Sequence, residues 1–186
     1  MILDPYPTYF SQKDNRNPYT RELEPVSQCS VAAATMVFSW LELEHSESIV
    51  YKLMIETANI RKNRFNSSKN ICETLNLALS TNGCREIAKV IEITSPEDLF
   101  LTLEKYKCPL LSSTGTFLTN AGHFIVMVGM SKGHGIFHDP FGVFQNGKYG
   151  NNDNGECVVF SHEELLKIYN THNGGRNVIV IEDLAA

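Results

Sequence analysis

A chain of 186 residues, 42% hydrophobic and 20% charged, is long enough to bury a core without disulfide or metal staples, and its composition excludes a disordered or fibrous chain. Its formal net charge of -5, from 16 basic and 21 acidic residues, supplies no general positive field for nucleic acid or an anionic membrane. No apolar run approaches the ~20 residues of a membrane span, and the N-terminus "MILDPYPTYFSQKDN" lacks the basic and apolar regions of a signal peptide. The expectation is one domain over residues 1–186, made as a soluble cytoplasmic chain, with action on the cell wall after lysis or export by a partner left open.

Residues 1–26 carry Pro5, Pro7, Pro18 and Pro25 and little periodicity, so they read as an extended arm laid over the domain. Its notable feature is "SQKDN", which contains Gln12. From Cys29 to about Leu43 the run is apolar on most faces, the signature of a helix in the middle of a domain. Ser27 or Gln28 lies at its N-terminal boundary, with Cys29 in the first turn. A second helix is expected over "SESIVYKLMIETANI", then a polar, basic loop "RKNRFNSSKN", then a third helix "ICETLNLALSTNG" ended by Gly83 as a left-handed cap. In "SPEDLFLTLEKYK", Ser95, Pro96 and Asp98 supply an N-cap, a first-turn proline and a capping-box acid. Ser161 and Glu164 repeat that signature in "SHEELLKIYN".

Strands are expected at "EIAKVIEI", "CPLLSST", "HFIVMVGM", "GIFHDPFG", "ECVVF" and "NVIVIED", mostly rich in β-branched or aromatic residues. Helices dominate the first half and strands the second, which argues an α+β fold. The Gly- and Asn-rich "GVFQNGKYGNNDNGE" reads as a mobile loop or hairpin tip.

Five cysteines, Cys29, Cys72, Cys84, Cys108 and Cys157, are odd in number and scattered, with no CxxC pair. Reduced thiols are expected. Cys29 differs from the others by position: the start of a buried helix offers unpaired N–H groups and partial positive charge, which favour a thiolate nucleophile. A nucleophile needs a base, and His123 stands at one end of an apolar strand behind Ala121 and Gly122, which leave room for a substrate backbone. The base needs an orienting acceptor, and a short hairpin sets Asp139 beside His123. Gln12 is the candidate side-chain donor to an oxyanion, together with the Cys29 N–H. Gln28 competes for that role, although its side chain is expected to cap the helix or meet solvent.

Gln12 in "YFSQKDN", Cys29 in "CSVAAATM", His123 in "GHFIVMVG" and Asp139 in "HDPFG", with Tyr149-Gly150 following, resemble the peptidase family C39-like group of papain-like cysteine peptidases. The resemblance spans residues 8–150 and implies a papain-like α+β fold, with a helix led by the nucleophile packed on an antiparallel sheet. It implies Cys29 as nucleophile, His123 as general base and acid, Asp139 as orienting residue and Gln12 as oxyanion donor, with no metal or organic cofactor. Ser30 and Ala33 depart from the family's usual Gly or Asn and Ser or Thr, small for small. Members that trim double-glycine leaders carry an ATPase and membrane spans in the same chain, which this sequence lacks. Stand-alone members suggest peptidoglycan peptides as the substrate of a lytic, phage- or bacteria-borne enzyme. The alternatives are a protease for a specific protein, a papain-like acyltransferase and a non-catalytic binding module.

Other features have plainer readings. His134 and His138 share a strand face without a third ligand, so packing or solvent contact is expected. Arg61, Lys62, Arg64 and Lys69 read as a solvated loop, and Met36, Phe38 and Trp40 as core. Phe141 and Phe144, flanking the triad on a loop, are candidates to line a substrate cleft.

Overall fold

The computed structural model describes residues 3–23, 28–114, 118–119, 122–131, 133–145, 148–151, 154–170 and 176–183. Pro25, Ser27 and Ala121, singled out from the sequence, lie outside them. The first half holds α1 (Cys29–Trp40), α2 (Glu47–Arg61) and α3 (Ser68–Thr81), followed by β1 (Glu86–Glu92) and α4 (Pro96–Lys105). The second half is mostly strand: β2 (Leu110–Thr114), β3 (Gly122–Ser131), β4 (His134–His138), β5 (Phe144–Gln145), β6 (Lys148–Tyr149) and β7 (Val158–Phe160), then α5 (His162–Asn170) and β8 (Asn177–Asp183).

The helix ends follow from local chemistry. Ser46, Ser67 and Ser95 each accept an N–H from the residue three ahead, satisfying donors that the first turn leaves open. Ser161 and Glu164 form a reciprocal capping box: the Glu164 carboxylate accepts the Ser161 N–H at 2.8 Å, and the Ser161 hydroxyl accepts the Glu164 N–H at 3.2 Å. Asp98 departs from that scheme and accepts the N–H of Thr94, one residue upstream of the cap. Gly83, at φ +68°, closes α3 with the Cys84 N–H returning to the Leu79 carbonyl.

Six strands form one antiparallel sheet in the order β1-β8-β2-β3-β4-β7, and β5 and β6 make a separate two-stranded hairpin. Helices cover both sides of the sheet. One core joins α1, α2 and α3 to Leu110, Phe124, Val126 and Ile179. The other joins Leu99 and Leu103 of α4 and Leu165 and Ile168 of α5 to Leu111, Ile125, Met127 and Val178. Burial on both faces explains why β3 reads as a continuous apolar run and not as an alternation. The apolar α1 is central as expected, buried from Cys29 to Phe38.

The N-terminal arm is more structured than an extended segment. It contains one turn of 3-10 helix at Gln12–Asp14, capped by the Ser11 hydroxyl, and an isolated bridge between Arg16 and Leu23. Side-chain and backbone bonds fasten it to the sheet. The pairing of β3 with β4 slips between Met127 and Gly129, and the Val128 carbonyl there accepts the Leu3 N–H at 2.9 Å. His138, fully buried, donates Nε2–H to the Pro7 carbonyl at 3.1 Å while its Nδ1 accepts the Cys157 N–H at 3.2 Å. Both ring nitrogens thus serve the fold, and burial holds the His138 pKa below its ordinary value, keeping the neutral ring that both bonds require. His134 is exposed.

Candidate active site

Cys29 is the first residue of α1 and is 6% exposed. Its sulfur lies 3.9 Å from the carbonyl oxygen of Gly122, the residue that opens β3. The head of the helix and the head of the strand therefore meet. Ser30 fixes the helix start from the other side, donating its hydroxyl to the Asn66 side-chain oxygen at 2.6 Å. Gln28, the N-cap residue, makes no side-chain capping bond and is buried, so neither expectation for it holds.

His123 follows Gly122. The β3–β4 hairpin places Val126 opposite His138, so the next residue, Asp139, emerges just beyond β4 within reach of the His123 ring. His123 donates Nε2–H to Asp139 Oδ1 at 2.7 Å, with the side chains 2% and 0% exposed. The carboxylate occupies Nε2, which leaves Nδ1 as the nitrogen for Cys29. Burial works against a charged ring, but the charge and hydrogen bond of Asp139, aided by the Cys29 thiol, prevail and push the His123 pKa up to about 10. A ring so held stands ready to exchange a proton with the Cys29 thiol.

Asp139 is held at every polar atom. Oδ1 also accepts the Phe141 N–H at 2.9 Å, and Oδ2 accepts the Tyr149 hydroxyl at 2.8 Å. Burial first, and then the Asp139 charge, raise the Tyr149 pKa, so its hydroxyl remains a donor. The Asp139 N–H donates to the Gly155 carbonyl at 2.9 Å, and the Asp139 carbonyl accepts the Tyr9 hydroxyl at 3.2 Å. A Cβ on Gly155 would lie 1.9 Å from that carbonyl oxygen, so only glycine permits the two backbones to approach so closely.

Gln12 begins the 3-10 turn, which packs against α1. It is buried, and its N–H donates to the Pro140 carbonyl at 2.9 Å. The arm is thus bonded directly to the residue after Asp139. Cys29, His123, Asp139 and Gln12, 127 positions apart at the extremes, meet where helix, sheet and arm converge. This arrangement can attack a carbonyl carbon, hold an oxyanion and deliver a proton.

The two phenylalanines divide. Phe141 is half-buried, edge-on to the His123 ring at 6.3 Å between centroids. Phe144 is buried in the core against Phe160 and Tyr149, so it does not line a cleft. In the β5–β6 hairpin Phe144 pairs with Tyr149 and turns inward while Gln145 is exposed, a choice that the Gly- and Asn-rich sequence around it does not reveal. Tyr149, Gly155 and Tyr9 are the supporting residues that motif reading missed, whereas His138 packs as expected. Of these, Tyr149 alone had a signal, as part of the Tyr149-Gly150 step after "HDPFG". All five cysteines are free thiols. Burial pushes the Cys72 thiol up to about 11 and raises that of Cys108, which suits them to packing and not to nucleophilic attack at neutral pH.

A thiol delivered by a helix and an imidazole delivered by an antiparallel sheet are the two halves of a papain-like cysteine peptidase. The chain belongs to the Peptidase_C39 like family, whose model matches residues 6–174, and it is a cysteine peptidase. A C39-like peptidase from Bacillus anthracis is 12% identical with a TM-score of 0.57, the alignment covering 97% of this chain and 96% of that one. The fold is shared with that structure. A double glycine motif protease from an AMS/PCAT transporter, crystallised in complex with the leader peptide, is 16% identical with a TM-score of 0.49, covering 96% of this chain and 97% of that one. No curated protein matches.

Proposed function

We propose that Cys29, His123, Asp139 and Gln12 form the catalytic set of this peptidase and that its substrates are the peptides of bacterial peptidoglycan, cleaved as by a lytic enzyme. The observation that carries the catalytic assignment is the buried His123–Asp139 bond in contact with the Cys29 thiol. The Cys29 thiolate adds to the amide carbonyl carbon, and its C=O electron pair moves to oxygen. The Gln12 side-chain amide and the Cys29 backbone N–H hold that oxyanion. As the C–N bond breaks, the His123 imidazolium gives its proton to the departing amine, leaving a thioester. Water then loses a proton to His123, adds to the thioester and expels the Cys29 thiolate, regenerating the imidazolium–thiolate pair.

Asp139 keeps the imidazole oriented throughout and stabilises its cationic form. The choice of a wall peptide is supported by polar and charged side chains near the site, Ser11, Lys13, Asp14 and Asn154, which suit short polar peptides better than apolar ones. The test is mass spectrometry of fragments released from purified sacculi by the wild-type protein and by Cys29→Ala. New amine and carboxyl ends from the wild type alone are expected. Release by neither overturns the wall as substrate and directs the search to proteins, and release by both overturns Cys29 as nucleophile.

A further inference from the structure

Residues Tyr9, Ser11, Lys13, Asp14 and Asn154 line an open basin of about 440 Å³, beside the 3-10 turn that carries Gln12. Three contacts fix its distance from the chemistry. The Tyr9 hydroxyl donates to the carbonyl of Asp139. Ser11 and Lys13 flank Gln12 in sequence, and the Gln12 N–H is bonded to Pro140. The Lys13 ammonium lies 4.9 Å from the centroid of the Phe141 ring, whose edge meets the His123 imidazole. Through Lys13 the basin adjoins the Phe141 ring, which in turn packs against His123.

The lining has a particular chemical character. Lys13 supplies a positive charge and Asp14, the next residue, a negative one, with the Ser11 hydroxyl and the Asn154 amide beside them. Tyr9 provides an aromatic wall. A side chain of one charge meets attraction from one of these residues and repulsion from its neighbour. A group that carries both a carboxylate and an ammonium satisfies both, the carboxylate toward Lys13 and the ammonium toward Asp14.

We propose that this basin is a specificity subsite for a zwitterionic substrate side chain, of the type that a diamino dicarboxylic acid such as meso-diaminopimelate presents in a wall peptide. The inference rests on the reading of the substrate as peptidoglycan peptide. Exposed charge pairs each contribute little, so the expected discrimination per charge is about five-fold.

The experiment uses the full chain with Cys29→Ala, so that binding is read without turnover. Calorimetric titration compares the tripeptide L-Ala-γ-D-Glu-meso-diaminopimelate with its counterpart bearing L-Lys at the third position, which lacks the terminal carboxylate. The first is expected to bind about five-fold tighter. Adding Lys13→Gln should abolish that difference, and adding Asp14→Asn should weaken both peptides about equally, since both carry the ammonium. Equal affinities, a difference that survives Lys13→Gln, or no binding of either peptide overturns the subsite. Sacculus digestion separates this from the substrate reading. Intact sacculi together with a carboxylate preference that depends on Lys13 would sink the wall reading and keep the subsite. Opened sacculi with a preference indifferent to Lys13 would do the reverse.

Discussion

Replacing Asp139 with asparagine keeps the shape of the side chain and removes its charge, which isolates what the carboxylate does for His123. In the wild type the imidazole is buried, at 2% exposure, yet has a pKa of about 10 against an ordinary 6.5. Burial is the largest single influence on the ring and acts downward; Asp139 is the main influence that opposes it. In Asp139→Asn only Cys29 still favours the cation against burial, so the pKa falls from about 10 and the ring loses protonation at pH 7.5. Alkylation of Cys29 by iodoacetamide, followed by peptide mass spectrometry, reads the reactive thiolate without any knowledge of the substrate. Its rate at pH 7.5 should fall, by up to about tenfold for each pKa unit by which the ring drops below that pH. Peptide cleavage should fall further, by about 10² to 10⁴, the usual worth of a positioned acid and base. The same pair has a signature in stability. A folded-state pKa raised above the unfolded value contributes stability that is complete below about pH 6.5 and is lost as pH rises through about 10. Asp139→Asn should lack that alkaline loss in thermal melts. A variant that alkylates at the wild-type rate with the wild-type pH dependence would refute the argument.

Tyr149→Phe removes the donor to Asp139 Oδ2 and leaves a buried carboxylate lone pair unserved, which should cost about 1.5–3 kcal/mol in urea unfolding. Because Oδ1 keeps its bonds to His123 and Phe141, Cys29 alkylation should slow less than in Asp139→Asn, and an equal loss would show that Tyr149 does more than position the acid. Gly155→Ala drives a methyl into the Asp139 carbonyl and should destabilise by about 1–3 kcal/mol while slowing alkylation through displacement of the loop. Wild-type stability in that variant would mean that the loop around 155 yields freely and does not brace the aspartate.

Much of the site could be read from residue order because its parts sit at element boundaries, and boundaries carry local chemistry. Cys29 precedes an apolar run, His123 begins one and Asp139 precedes a proline. Serine caps announced α4 and α5 for the same reason, since capping involves atoms only a few residues apart. Phe144 was misplaced toward a cleft and Gln28 toward solvent because burial there depends on distant elements. The arm shows the same limit. Its prolines excluded a long helix, but the bonds that fasten it, from Leu3 to Val128, Pro7 to His138 and Gln12 to Pro140, join segments over a hundred residues apart.

Sequence alone therefore indicated the long helices and strands, because composition, periodicity and caps act over short range, and the family resemblance named four candidate site residues. Tertiary structure decided that β8, the last strand, lies between β1 and β2, and that helices cover both faces of the sheet. It also decided that Tyr149 binds the Asp139 carboxylate while Tyr9 and Gly155 hold the Asp139 backbone. Those outcomes depend on which buried surfaces and unpaired backbone groups find partners across the whole chain, and a local pattern holds no record of that pairing.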